Sequence, residues 1–286
     1  MKHINYLYIF LFFSTSMVLW TSCTTTELNP AYVYIEEVKV ASSSNQGANT
    51  HKITTIWAFV GNEPLGVFEL PALIPILEEG EGILTLQAGI NNNGVSSDRV
   101  IYPFYQSAIL TLNFKPLETD TIVPTFNYSD RTNFAFISDF DAFGNFFEGD
   151  IGITTIDSEV LSGSRSGKTE LTSTKNNFLI KNSNSHALPA TSQQAVYLEI
   201  DYKCTHPFEV FIEASDDTGG EPIGSFLLFV AARDDWNKIY IDLTNTIAAL
   251  KLQDKNQFRI LFDGNLNDGE SSGTFFWDNI KLIYQQ

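Results

Sequence analysis

The stretch VYLEIDYKC, residues 196–204, decides the fold class. Val196, Leu198, Ile200 and Tyr202 share one parity, and Tyr197, Glu199, Asp201 and Lys203 share the other. Side chains in a strand alternate between faces, so this is a half-buried β-strand with an apolar and a polar side. The pattern recurs in FEVFIEA (208–214), IYIDL (239–243), FRILF (258–262) and TFFWDNIKLIY (274–284). Gly219-Gly220 and Gly264-Asn265 supply turns between these runs. No long run of helical period interrupts them, apart from a helical turn at 246–250.

Upstream, apolar runs at 32–40, 53–60, 65–69, 83–88 and 109–114 read as further short strands. Gly61-Asn62 and Asn91-Asn92-Asn93-Gly94 punctuate them, and Pro71 and Pro75 break the ladder. The segment KPLETDTIVP (115–124) has proline near both ends and little core signal. The expected organisation is therefore all-β: a small antiparallel sandwich over 32–115, a linker at 116–124 and a second sandwich over 125–286.

Composition agrees. Hydrophobic residues make up 43% of the 286 positions and charged ones 18%, which marks a chain with real cores. The 23 Phe and 11 Tyr favour pleated, half-buried surfaces. A net charge of −17 with no Lys/Arg stripe repels phosphate backbones and argues against nucleic-acid binding. With Cys23 and Cys204 as its two cysteines, the chain must hold its cores without a disulfide framework.

The N-terminus has the layout of a secretory signal: Lys2 and His3, an apolar run over 4–19, then Thr21-Ser22-Cys23. It resembles the bacterial lipoprotein signal, with Trp20 where that family usually has Leu. The resemblance implies cleavage after residue 22, lipid on the Cys23 sulfur, a tether over 23–31 and attachment to a membrane of the cell envelope, the outer membrane being the expected one. Several acyl chains at ~0.8 kcal/mol per buried CH₂ anchor stably. The whole chain is similar to envelope lipoproteins of the Bacteroidetes.

Two domain-level resemblances follow. Residues 57–89, with Gly61, Gly66, Pro71 and Gly80, are similar to the PEGA-type surface module, a non-catalytic envelope unit. The second unit resembles galactose-binding-like jelly rolls, which include many carbohydrate-binding modules. ISDFD (137–141), SGSRSGKTEL (162–171), WNKIYIDL (236–243) and FFWDNIKLI (275–283) carry that likeness. In that family the acid equivalent to Asp278 often holds a structural calcium with acids from an early strand, which implies Asp139, Asp141 and Glu148 as partners. The alternative for Asp278 is a strand-end carboxylate bonded to backbone or water.

Counted by twos from Ile280 and Leu282, Trp277 falls on the outer face, where an indole would be a sugar-stacking platform. The alternative is that Trp277 covers a second layer or the domain interface. Trp57 reads as core or interdomain, and Trp236 as a plug at a strand start. Tyr102 and Tyr105, with Arg99 in RVIYPFY, form an aromatic-proline loop suited to contact if exposed, or tucked over its own sandwich. His51, His186 and His206 lack metal-ligand spacing, and no GxSxG, P-loop or GxGxxG occurs. The expected function is a non-catalytic binding module, with glycan the first candidate ligand. An envelope-protein scaffold is the alternative, and a glycan-active enzyme with paired carboxylates comes third.

Overall fold

The computed structural model describes residues 29–141, 146–189, 191, 193–218 and 220–286. The expected signal, Cys23 and most of the tether lie outside the described residues.

The first unit is built from β1 (Ala31–Ile35), β2 (Lys39–Ala41), β3 (Thr55–Val60), β4 (Glu63–Glu69), β5 (Ala72–Ile76), β6 (Gly80–Asn91), β7 (Arg99–Ile101), β8 (Ala108–Phe114), β9 (Thr119–Ile122) and β10 (Thr125–Asn127). One sheet runs β5-β1-β9, and another runs β4-β3-β6-β7 with β8 also on β6. β10 and β2 form a parallel pair. Val33, Ile56, Ile74, Leu84, Leu86 and Phe114 fill the space between them. Gly61 closes the β3–β4 hairpin at φ +56°, a conformation glycine adopts without Cβ strain.

The expected linker at 116–124 is not a linker. β9 pairs in parallel with β1, and Phe126 and Tyr128 complete the core of this unit. Pro116 and Pro124 flank β9, which is an edge strand, so their missing N–H groups cost no ladder bond. The boundary between the units therefore falls after Tyr128.

The second unit contains β11 (Thr132–Ser138), β12 (Phe147–Gly149), β13 (Thr154–Ile156), β14 (Ser166–Thr172), β15 (Asn177–Asn182), β16 (Val196–Cys204), β17 (Phe208–Ser215), β18 (Ile223–Val230), β19 (Arg233–Asp242), α1 (Thr244–Lys251), β20 (Gln257–Asn265) and β21 (Ser272–Gln285). A six-stranded sheet runs β13-β14-β21-β16-β19 with β11 on β21, facing a five-stranded sheet β12-β15-β20-β17-β18. Leu198, Ile200, Val210, Ile212, Ile260, Phe262 and Leu282 interleave between the sheets. α1 occupies the expected helical turn and buries Ile247 and Leu250. The chain is thus all-β, two sandwiches in series, with one short helix among the described residues.

The first unit lies on the outer face of the six-stranded sheet. Tyr197, Tyr240 and Ile283 from that face join the first unit's core. The backbone N–H of Asn93 donates to the Tyr240 carbonyl at 2.9 Å. Both faces of β16 are consequently covered, and Lys203 is its one residue that is not fully buried.

A bulge in β21 sets what that outer face displays. Glu199 stands opposite Lys281, and Asp201 opposite Asp278, so two steps along β16 match three along β21. Asn279 takes the extra position at φ +45°. A one-residue slip reverses every later side chain. Phe275 and Trp277 point into the sandwich, as do Ile280 and Leu282 past the bulge. Asp278 and Lys281 lie on the outer face instead, where Lys281 reaches Ala48 of the first unit.

Candidate functional site

The outer face of β16, β19 and β21 carries charges that the first unit seals from water. Glu199 is fully buried and accepts hydrogen bonds from the Tyr102 hydroxyl at 2.6 Å and the Tyr128 hydroxyl at 2.9 Å. Its other oxygen faces Lys238 Nζ at 3.0 Å. Lys238 also lies 3.5 Å from Asp201, which accepts from the Thr50 hydroxyl at 2.5 Å. Lys281 donates to the Ala48 carbonyl at 3.0 Å and to Tyr128 at 3.3 Å. Buried charges persist when paired in this way.

The protonation states follow. Burial alone would raise the Glu199 carboxyl, but the ammonium groups of Lys238 and Lys281 and the tyrosine hydroxyl outweigh it and hold it below its usual range. Burial pushes Lys281 down to about 8, with Lys238 adding to the effect. Burial, and then the charge of Asp201, pushes Asp278 up to about 7.

Over this cluster the units leave a groove. The loop at 42–50, SSSNQGANT, forms one wall. It is pinned from beneath by Lys281 and closed by the Ser42 backbone N–H donating to Asn49 Oδ1 at 2.9 Å. Asn49, Thr50, His51, Leu161, Trp236 and Asn237 line a hollow of about 320 Å³, within the usual range for small-ligand sites. It continues past Ser42–Ser44 on one side. On the other side it reaches a smaller hollow of about 150 Å³ beside Lys52 and Arg233.

Trp236 is the platform. Its Nε1–H donates to Glu159 at 3.2 Å, and Glu159 also takes Lys203 at 3.1 Å. Its ring lies 6.4 Å from that of Phe276. The indole is thus fixed with a half-exposed surface toward the groove. Burial, reinforced by the Lys238 charge, lowers the His51 pKa and favours a neutral imidazole, one donor and one acceptor. A fixed aromatic surface among amides, hydroxyls and a neutral imidazole suits a polyhydroxylated ligand with an apolar ring face. Among the described residues Asp201 is the only carboxylate lining this hollow, and it is bound to Thr50 and Lys238.

The residues expected from sequence fall elsewhere. Trp277 is fully buried between the sheets, with Phe262 and Phe208 at 4.9 Å and its Nε1–H on Thr169 at 3.1 Å. It is no exposed platform, because the bulge reverses the count made from Ile280. Tyr102 and Tyr105 are buried too, and Tyr102 packs on Tyr240 at 4.7 Å and Tyr197 at 5.6 Å. Their loop is tucked onto its own unit's core, with Tyr105 5.0 Å from Tyr128, and it also closes against the second unit, because aromatic surface on both sides gains from leaving water. Trp57 is half-buried in β3 between Val67 and Gln87 and does not line the groove.

The four acids implied for calcium do not assemble. Asp278 accepts the backbone N–H groups of Ser162 and Asn279, at 3.0 and 2.8 Å. Asp141 accepts Ser164 N–H and Oγ, and Asp139 accepts the backbone of Asp141. Glu148 sits on the opposite sheet beside Arg259 and Lys181. Among the described residues no three His, Cys, Asp or Glu side chains form a metal-holding group, so this donor set does not fit the ion. Sequence reasoning missed Trp236, Lys52 and the 42–50 loop as parts of one site. The one signal was the tryptophan beside an amide and a cation in WNK.

No family model and no curated protein matches the chain. Among solved structures it is similar to a carbohydrate-binding module studied for the promiscuous specificity of the beta-sandwich superfamily. That match has 13% identity and a TM-score of 0.42, and covers 89% of this chain and 98% of the other. A family 30 carbohydrate-binding module matches at 15% identity and TM-score 0.40, over 54% of this chain and 88% of its own. A family 11 module from Clostridium thermocellum, in complex with a beta-1,3-1,4-mixed-linked tetrasaccharide, matches at 13% and 0.37, over 53% and 94%.

Proposed function

We propose that this chain is a non-catalytic glycan-binding module, held on the cell envelope, at the outer membrane, by lipid on Cys23. The observation that carries the binding reading is Trp236, fixed by Glu159 and set in a groove of amides and hydroxyls. A sugar ring presents an apolar face to the indole and hydroxyls to the walls. A glycosidase needs two carboxylates across the scissile bond, and the one acid that lines the hollow among the described residues is already engaged. Polysaccharide pull-down with the purified chain is expected to retain it on at least one glycan class. Trp236→Ala should abolish retention without lowering the melting temperature; retention unchanged by Trp236→Ala refutes the site.

A protein-scaffold role has one observation in its favour. Edge strand β18 exposes Phe226 and Phe229, at 54% and 56%. Crosslinking in cells that captures a partner through this strand, together with no glycan retention, would favour the scaffold.

A further inference from the structure

The smaller hollow at the end of the groove differs in chemistry from the Trp236 surface. Lys52 comes from the first unit and Arg233 from the start of β19, and both line it. Neither pairs with a carboxylate among the described residues. Asp234 and Asp235 follow Arg233 in the chain but do not line the hollow. In a chain of net charge −17, two cations brought together without an acid between them are a local exception. Burial lowers the Lys52 ammonium, and the charge of Arg233 lowers it further.

The amides around them point the same way. The Asn93 oxygen accepts the Asp242 backbone N–H at 2.9 Å. The Asn237 oxygen accepts the Lys52 ammonium. Both partners are obligate donors, so each amide is fixed with its oxygen inward. What remains for a ligand is NH₂, on Asn93 and, shared with Tyr202, on Asn237. The hollow therefore offers an ammonium, a guanidinium and amide N–H groups, with no free carboxylate. Asn237 and Lys238 line both this hollow and the Trp236 surface, so one ligand can span them.

We propose that the groove selects glycans bearing a carboxylate, as in uronic acids, with the sugar ring on Trp236 and the carboxylate between Lys52 and Arg233. The inference rests on the glycan-binding reading and deepens it. A planar carboxylate matches the guanidinium fork, and charge-assisted bonds give it more than a neutral hydroxyl obtains.

The test is calorimetric titration of the purified chain with an oligogalacturonate and with the same oligosaccharide methyl-esterified, in which each carboxylate becomes a neutral ester. The acid form is expected to bind more tightly. Lys52→Met and Arg233→Met should each weaken the acid form ~10-fold and leave the ester unchanged, while Trp236→Ala should weaken both. Free glucuronate and inorganic sulfate serve as probes for a bare anion site. Either one binding as tightly as the oligosaccharide, independently of Trp236, would overturn the spanning geometry. Equal affinity for acid and ester, or an acid form indifferent to both cation variants, overturns the selectivity and leaves glycan binding standing. Failure of acid, ester and neutral oligosaccharides alike overturns both.

Discussion

Glu199→Gln tests whether the buried cluster holds the two sandwiches together. Glutamine keeps the volume, and its oxygen can still accept from Tyr102 and Tyr128, now 2.6 and 2.9 Å from the carboxylate. Its NH₂, however, must face the Lys238 ammonium, which sits 3.0 Å from the present oxygen in a site with 3% and 0% side-chain exposure. Removing one partner of a buried ion pair costs about 3–5 kcal/mol. Lys238 keeps Asp201 at 3.5 Å, so the lower end, about 3 kcal/mol, is the expected loss. Lys238→Met should cost a similar amount by leaving Glu199 short of a cation. The double variant removes the mismatch from both sides, so its cost should fall short of additivity by about 2 kcal/mol. Urea denaturation followed by tryptophan fluorescence gives each term, and wild type should unfold in a single transition because the units share a core. A Glu199→Gln loss below about 0.5 kcal/mol, additive singles, or separate transitions for the two units would refute this account of the junction.

Other outcomes follow from the same geometry. Asp278 titrates near 7 in the fold against 3.8 for a free side chain. A raised acid contributes most stability below its unfolded pKa and loses it as pH rises toward the folded one. Asp278→Asn should therefore look better against wild type at pH 8 than at pH 5, by about 2.5 kcal/mol; a difference independent of pH in urea melts would show that the carboxyl is not strained. Trp277→Ala should cost about 3–5 kcal/mol as a core truncation, and the milder Trp277→Phe should leave glycan retention intact; loss of retention in a folded Trp277→Phe would return that residue to the site. EDTA is expected to leave the melting temperature unchanged, since the four implied acids do not converge, and a fall on chelation would reinstate a calcium. Cys23→Ser should release the chain from membranes in cell fractionation, and its retention there would contradict the lipid anchor.

How far the sequence could be read depends on what sets each feature. Period-2 alternation is local, so the strands of the second unit were legible, including both faces of residues 196–203. The burial of those faces was not local. Glu199 and Asp201 look like the wet side of a sheet until another unit covers them, and nothing within nine residues says that it does. The linker reading failed for a related reason, since β9 is short and polar and is held by its pairing to β1, 87 residues earlier. Trp277 failed because one inserted position at Asn279 inverts the parity, and a bulge leaves no mark in composition.

That bulge also explains why the groove exists where it does. Without it, Lys281 would point into the apolar sandwich and Ile280 toward the first unit. With it, Lys281 reaches the Ala48 carbonyl and fixes the loop that walls the groove. Asp278 meanwhile reaches the Ser162 N–H, beside the Leu161 that lines the opposite side. One backbone irregularity in β21 thus positions both walls, while β19, two strands away across β16, supplies Trp236 and Arg233. Lys281→Met keeps this register and removes the ammonium that holds the Ala48 carbonyl. The loop at 42–50 would lose its anchor, and the groove would open even if each sandwich still folded. Protection of the 42–50 amides against hydrogen exchange, lost in Lys281→Met and kept in wild type, would show that the loop is held from below. Protection unchanged by the substitution would mean that the loop holds itself through Ser42 and Asn49 alone.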